Sequence, residues 1–270
     1  VTSPAPHVKS DVPFYICLGL LGGLYVALVA ALIVADIAHT STEDIQRGFA
    51  SREIRASVWL SLLSCSAAAI LSVWVAVPLG YLLSRTRFPG RVAIDLLLDV
   101  PIILPPLVVG LSLLILFQTA PGCWVQQHAF PVTYAVAGVV LAQFTVSAAF
   151  AIRTMRVTFD QIDPRTEDIA RTLGCSRGQA FWRVTLPEAR RGVLTAFTLA
   201  WARALGEFGP IIIFCGATRM RTEVLSTSVF LELSIGNLES ALAVSLLMIA
   251  VAVVVLVVTR AFGLRGTGLI

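Results

Sequence analysis

Glu167-Asp168-Ile169-Ala170-Arg171-Thr172-Leu173-Gly174, followed after nine residues by Val184-Thr185-Leu186-Pro187, is a polar, arginine-bearing island in an otherwise apolar chain. Of the 270 residues, 57% are hydrophobic and only 13% charged. Soluble domains carry about a quarter charged residues. The composition therefore describes an integral membrane protein and excludes a basic nucleic-acid binder, even at a net charge of +4. Lysine occurs once, at Lys9, and no Gly-x-x-x-x-Gly-Lys-Ser/Thr run is present. A phosphate-cradling loop of that type needs its lysine, so any ATP chemistry belongs to a partner.

Outward from the island lie six apolar runs: 13–35, 57–84, 95–118, 132–152, 192–216 and 238–259. A helix needs ~20 apolar residues to cross ~30 Å of hydrocarbon. Each run is predicted helical, because backbone amides in lipid have no water to bond. The first covers 23 residues, longer than the ~7–15 of a signal-peptide core, and reads as a retained span. The predicted fold class is an all-α integral membrane protein with six transmembrane helices in a single transmembrane domain, 1–270.

Charge sets the orientation. The N-terminal tail, 85–94, 153–191 and the C-terminal tail hold fourteen Lys/Arg, against five in 36–56, 119–131 and 217–237. By the positive-inside rule both termini and the loop 153–191 are predicted cytoplasmic. The five cysteines show no Cys-x-x-Cys spacing, and His7, His39 and His128 are far apart and outside the apolar runs. No metal and no cofactor site is expected from such spacing.

The island itself carries helix signals. Asp163 suits an N-cap and Pro164 the first helical position. Glu167 and Asp168 then lie close to the first turn, where the helix dipole favours them. Gly174 suits the left-handed position that ends a helix. Ser176-Arg177-Gly178-Gln179 reads as a capping box opening a second short helix, which Pro187 is expected to stop. Ile169, Leu173 and Phe181 are then apolar anchors for another protein's cleft. On physics alone, an amphipathic helix lying on lipid fits equally well.

Glu-Ala-Ala, three residues, Gly, nine residues, Ile-x-Leu-Pro is the hallmark of permease subunits of ABC importers, and this loop resembles it. Asp168-Ile169-Ala170 stands at the Glu-Ala-Ala place, Gly174 is in register, and Val184-Thr185-Leu186-Pro187 closes the pattern. Asp for Glu, Ile for Ala and Val for Ile are departures. The resemblance extends from about residue 55 to 260. Within it, Asp95-Leu-Leu-Leu-Asp99-Val-Pro-Ile-Ile-Leu-Pro-Pro-Leu-Val-Val-Gly110 and Ala204-Leu-Gly-Glu-Phe-Gly209 are similar to the molybdate/tungstate/sulfate oxyanion permeases.

The resemblance implies a type I ABC importer fold with a coupling-helix loop, and a homodimer in the lipid of a prokaryotic plasma membrane. It implies a cytoplasmic ATPase dimer docked through Glu167, Asp168, Ile169, Ala170, Arg171, Leu173, Gly174, Leu186 and Pro187. It further implies an extracytoplasmic oxyanion-binding protein and inward transport by alternating access, with no catalytic residue in this chain. A permease for another small ligand is the alternative within this class. An intramembrane serine hydrolase built on Gly110-Leu111-Ser112 has no histidine in any span to act as base. An uncoupled channel does not account for the folded Gly-turn loop.

Polar residues within the spans are few. Asp95 and Asp99 share one helix face and are expected to pair with Arg87, Arg91 or the loop. Pro101, Pro105 and Pro106 interrupt the third span, and with Gly110 they are candidates for lining a pathway or for a structural kink. Arg203 and Glu207 are the only opposite-charge pair deep in a span. They stand as further pathway candidates, although a structural ion pair is the weightier expectation. Gly206, Gly209 and Pro210 around them allow close packing or a bend.

Overall fold

A computed structural model describes residues 12–41 and 51–265. Lys9 and Arg47, which enter the charge count, lie outside them. All regular structure among the described residues is helical. In chain order the helices are α1 (Val12–His39), α2 (Arg52–Arg85), α3 (Arg91–Ile103), α4 (Pro106–Gln118), α5 (Ala120–His128), α6 (Val136–Gln161), α7 (Pro164–Thr172), α8 (Arg177–Ala180), α9 (Arg190–Leu205), α10 (Gly209–Phe214), α11 (Leu225–Ile235) and α12 (Leu238–Arg265).

Four of these, α1, α2, α6 and α12, are long and apolar enough to cross a membrane. Counting α3 and α4 as one bent crossing makes a fifth. The third predicted span is therefore no single rod: the chain bends by 113° between its halves. The cause is local. Proline disfavours helical geometry in the residue before it, and Leu104 and Pro105, each followed by proline, are extended at ψ 138° and 136°. Pro101, expected to share in this break, stays inside α3.

The run 192–216 also divides, into α9 and α10 across residues 206–208. At ~1.5 Å per residue, the 16 residues of α9 reach only ~24 Å, short of the hydrocarbon thickness. The fourth span overshoots its predicted end at 152, since α6 continues to Gln161 and carries Arg153 and Arg156 on its last turns. The stretches 119–131 and 217–237, read as plain connections, contain α5 and α11.

Small residues decide the packing. Along α2, Ser57, Ser61, Cys65, Ala68, Ser72, Ala76 and Gly80 are buried on one stripe, whose first part meets α11 through Ser57 and Ser61 and whose later part meets α6. Lipid gives apolar helices no hydrophobic reason to associate, so close backbone approach and hydrogen bonds must hold them. A Cβ on Gly80 would lie 2.8 Å from the Met155 Cβ. The hydroxyls of Ser72 and Ser147 are 2.9 Å apart, the Trp201 indole donates to Ser66 at 3.2 Å, and the Leu225 amide donates to Ser61 at 2.8 Å. One core gathers α2, α6, α9 and α12; a second gathers α4, α6 and α10 around Phe214 and Ile211. Large apolar side chains of α1, α3 and α4 face outward, as lipid or a partner requires.

Candidate functional site

The loop after α6 is built as its residues dictate. The Asp163 carboxylate accepts from the Arg165 amide at 3.0 Å and caps α7, with Pro164 at its start. Gly174 follows α7 at φ +95°, a region that side chains avoid. There the Cys175 amide reaches the Ala170 carbonyl at 3.1 Å and the Gly174 amide the Arg171 carbonyl at 3.0 Å, closing the helix end. The Ser176–Gln179 capping box is complete, at 3.3 and 2.8 Å.

Pro187 does not stop the second helix. The chain passes through a π-helical turn, Phe181–Thr185, in which the Leu186 amide bonds the Phe181 carbonyl. That wider turn lets the helical path continue through Leu186–Glu188 towards α9 with Pro187 in it. Phe181, expected as a docking anchor, turns in against Tyr81, ring centroids 4.7 Å apart, while Trp182 is exposed.

Glu167 holds the loop to the membrane domain. It is 8% exposed, and accepts from the Tyr81 hydroxyl at 2.9 Å and the Thr185 hydroxyl at 2.8 Å. The Arg85 guanidinium lies 3.4 Å from it and donates to the Ile162 carbonyl at 2.7 Å. Sequence reasoning placed Glu167 by the helix dipole and nominated it for the dock; the structure turns it inward instead. Its neighbour Asp168 points out and pairs with Arg171 at 3.5 Å.

The nominated residues therefore fall into two groups. Glu167 and Ala170 face in, with Leu186 half-buried. Asp168, Ile169, Arg171, Leu173, Gly174 and Pro187 face out. Leu173 is 81% exposed, an apolar side chain at the end of a capped, anchored helix that nothing among the described residues covers.

The membrane-embedded candidates also come together in part. The two broken helices cross at their breaks: a Cβ on Gly209 would lie 2.8 Å from Pro106, and one on Gly110 would lie 2.8 Å from the Pro210 backbone. Pro101 takes no part in that crossing contact. Arg203 and Glu207 are paired at 2.5 Å, with the Arg203 guanidinium over the Phe150 ring at 5.6 Å. Asp99 pairs with Arg153 at 2.5 Å and Asp95 with Arg156, both arginines on the last turns of α6. Of the pairings expected for these aspartates, that with the start of 153–191 is the one found, and Arg87 and Arg91 are not the partners.

A broken-helix membrane domain with a capped helical loop, its apolar side chains uncovered on the side away from the helices, matches one known family model. "Binding-protein-dependent transport system inner membrane component" aligns with residues 76–265. The chain belongs to that family.

Members of the family similar to this chain include the sulfate transport system permease protein CysT of Escherichia coli, 31% identical over 90% of this chain and 86% of its own length. A probable molybdenum ABC transporter permease protein of Haloferax volcanii is 33% identical, covering 91% and 87% respectively. The molybdenum transport system permease protein ModB of Mycobacterium tuberculosis is 30% identical, covering 92% and 94%. Among solved structures, a chain of a bacterial alginate ABC transporter, in complex with its pentasaccharide-bound periplasmic protein, superposes with a TM-score of 0.77 over 96% of both chains. At 15% identity that likeness is one of fold.

Proposed function

We propose that this chain is the membrane-spanning permease subunit of an ATP-driven importer that moves a tetrahedral oxyanion, such as molybdate, tungstate or sulfate, into a prokaryotic cell. Family membership and the names of its relatives support the class of substrate. The observation that carries the mechanism is the loop: Ile169, Leu173 and Trp182 are exposed on helices that Glu167 clamps to α2. A cytoplasmic ATPase dimer docks there, its groove covering α7 by the helix-in-groove mode. An extracytoplasmic binding protein delivers the anion, and the permease works as a homodimer in the plasma membrane. We read each broken helix as one crossing, for six spans, and the Lys/Arg asymmetry of the loops supports both termini being cytoplasmic.

The route of force is short. Displacement of α7 is transmitted through Glu167 to Tyr81 and Arg85 on α2, and through Thr185 and the π-helical turn directly into α9. α9 ends at the break beside Arg203. ATP binding changes accessibility only through contacts that differ between the two states.

The test is reconstitution. The chain, co-expressed with its ATPase and binding protein, should drive ATP-dependent uptake of labelled molybdate, tungstate or sulfate into proteoliposomes. In a cysteine-free background, position 123 should label from outside and 175 only after permeabilisation. Uptake of none of the three anions, or labelling of 175 in sealed cells, overturns the assignment. A tagged copy should pull down an untagged one; if it instead captures a different permease chain, the homodimer is wrong.

A further inference from the structure

We propose that Arg203 is the residue that meets the anion within the membrane, and that Glu207 is its resident counter-ion in the empty state. This rests on the oxyanion-import reading above.

Burial separates the two halves of the pair. The Glu207 side chain is 1% exposed and that of Arg203 31%. A purely structural pair has no need to leave its cation open where charge is costly. Glu207 is held from behind: its backbone carbonyl accepts from the Ser226 hydroxyl at 2.7 Å. Neither Glu207 carboxylate oxygen has a hydrogen-bonding partner of good geometry, so Arg203 is its one source of compensation among the described residues. Such a carboxylate holds the guanidinium in place without using up its five N–H donors.

Position agrees with this role. Glu207 lies in the break between α9 and α10, which meets the break between α3 and α4 through Gly209 and Pro106. Irregular backbone at membrane depth is tolerated where it is covered by protein or lines a cavity, and transporters place substrate at such breaks. Arg203 is also reachable from the cytoplasmic side. Arg191, Thr195, Leu199 and Arg203 follow one ridge of α9, the first three exposed. The ridge begins at a cleft of about 640 Å³ between α6 and α9 whose lining includes the charged Arg153, Glu188 and Arg191. In a homodimer each copy supplies one Arg203, and two guanidinium charges balance one dianion. As the anion leaves, Glu207 takes Arg203 back, so the site does not retain its cargo.

The test uses the reconstituted transporter. Arg203→Gln alone leaves Glu207 unpaired and is a poor folding control, so the paired variant Arg203→Gln/Glu207→Gln carries the experiment. It should keep its unfolding temperature in detergent yet lose uptake about tenfold or more, the effect of one lost charge-assisted bond. Glu207→Gln alone should lower KM and kcat together, because the anion then has no competitor for Arg203. In a cysteine-free background, Leu199→Cys should react faster from inside with an anionic than with a cationic thiosulfonate, and the paired variant should lose that preference. A paired variant that folds and transports at the wild-type rate, or an unchanged reagent preference, refutes the role of Arg203. If the wild type imports none of the three anions, the import reading itself has failed, and the thiosulfonate arm still reports on Arg203.

Discussion

Removing the Glu167 carboxylate should release the docking loop without unfolding the membrane domain. Three groups converge on it: the Tyr81 hydroxyl at 2.9 Å, the Thr185 hydroxyl at 2.8 Å and the Arg85 guanidinium at 3.4 Å. A hydrogen bond to an ionised group contributes about 1.5–3 kcal/mol. Two such bonds plus the ion pair do not add in full, since all share one carboxylate. Breaking a buried pair costs about 3–5 kcal/mol, mostly through the charge left behind. Here Arg85 keeps the Ile162 carbonyl at 2.7 Å, so Glu167→Ala belongs near the lower end, about 3–4 kcal/mol.

That loss should appear as local opening. Amide exchange in α7 should accelerate by roughly two to three orders of magnitude, while α2 and α6 change little. Glu167→Gln keeps an acceptor and should fall between the two. Tyr81→Phe removes one bond and should cost less than Glu167→Ala. The same variants should recover less ATPase on co-purification, in the same order. Unchanged α7 exchange in Glu167→Ala, or equal acceleration throughout α2 and α6, would refute a local clamp.

Gly174→Val forces a β-branched side chain to φ +95°, where open space leaves only backbone strain of about 1–3 kcal/mol; it should insert normally but recover little ATPase on pull-down. Gly110→Ala places a Cβ 2.8 Å from the Pro210 backbone and should destabilise the detergent-solubilised protein by about 1–3 kcal/mol in thermal unfolding, whereas Gly178→Ala, with nothing within 4 Å, should be nearly neutral. Glu223, in the segment before α11, has its carboxyl pushed above its ordinary value of 4.5, first by burial, with Glu53 and Glu232 adding to this and the Ser228 hydroxyl and Arg219 opposing it. The stability contributed by a raised acid is complete below 4.5 and is lost as pH rises through the raised value; the protection of α11 amides, taken relative to their intrinsic exchange at each pH, should fall as pH rises, and Glu223→Gln should flatten that dependence.

The apolar runs and the island's caps were legible because their causes are local. Asp163, Gly174, Ser176 and Gln179 act on neighbours within a few residues, and each occupies the place its chemistry predicts. What was illegible depends on partners distant in sequence. Glu167 reads as a first-turn acid until α2 brings Tyr81 to it from 86 positions away. That Phe181 turns in while Trp182 is exposed depends on Tyr81, a ring brought to Phe181 from far away in sequence. The broken spans lie between these cases. Three prolines mark the third span, but only Leu104-Pro105-Pro106 stacks two restricted residues in succession, and that is where the helix turns.

These breaks define what the rest of the domain can do. A straight span clamped to the docking loop would carry the loop's motion across the bilayer as one rod. Here the clamp joins a helix that is not one rod: α9 begins beside the loop and stops at Gly206, where the chain turns before α10. The crossing of that break with Pro106 is tight, since neither Gly209 nor Gly110 has room for a methyl group. Tight crossings resist sliding and favour rotation about the contact, as packed interfaces change between discrete arrangements rather than deform continuously. Arg203 sits in the last turn of α9, and Glu207 lies in the break itself. Rotation of α9 about the crossing would change their separation directly, so in the proposed import cycle the step that moves the helix would also loosen the guanidinium for the anion.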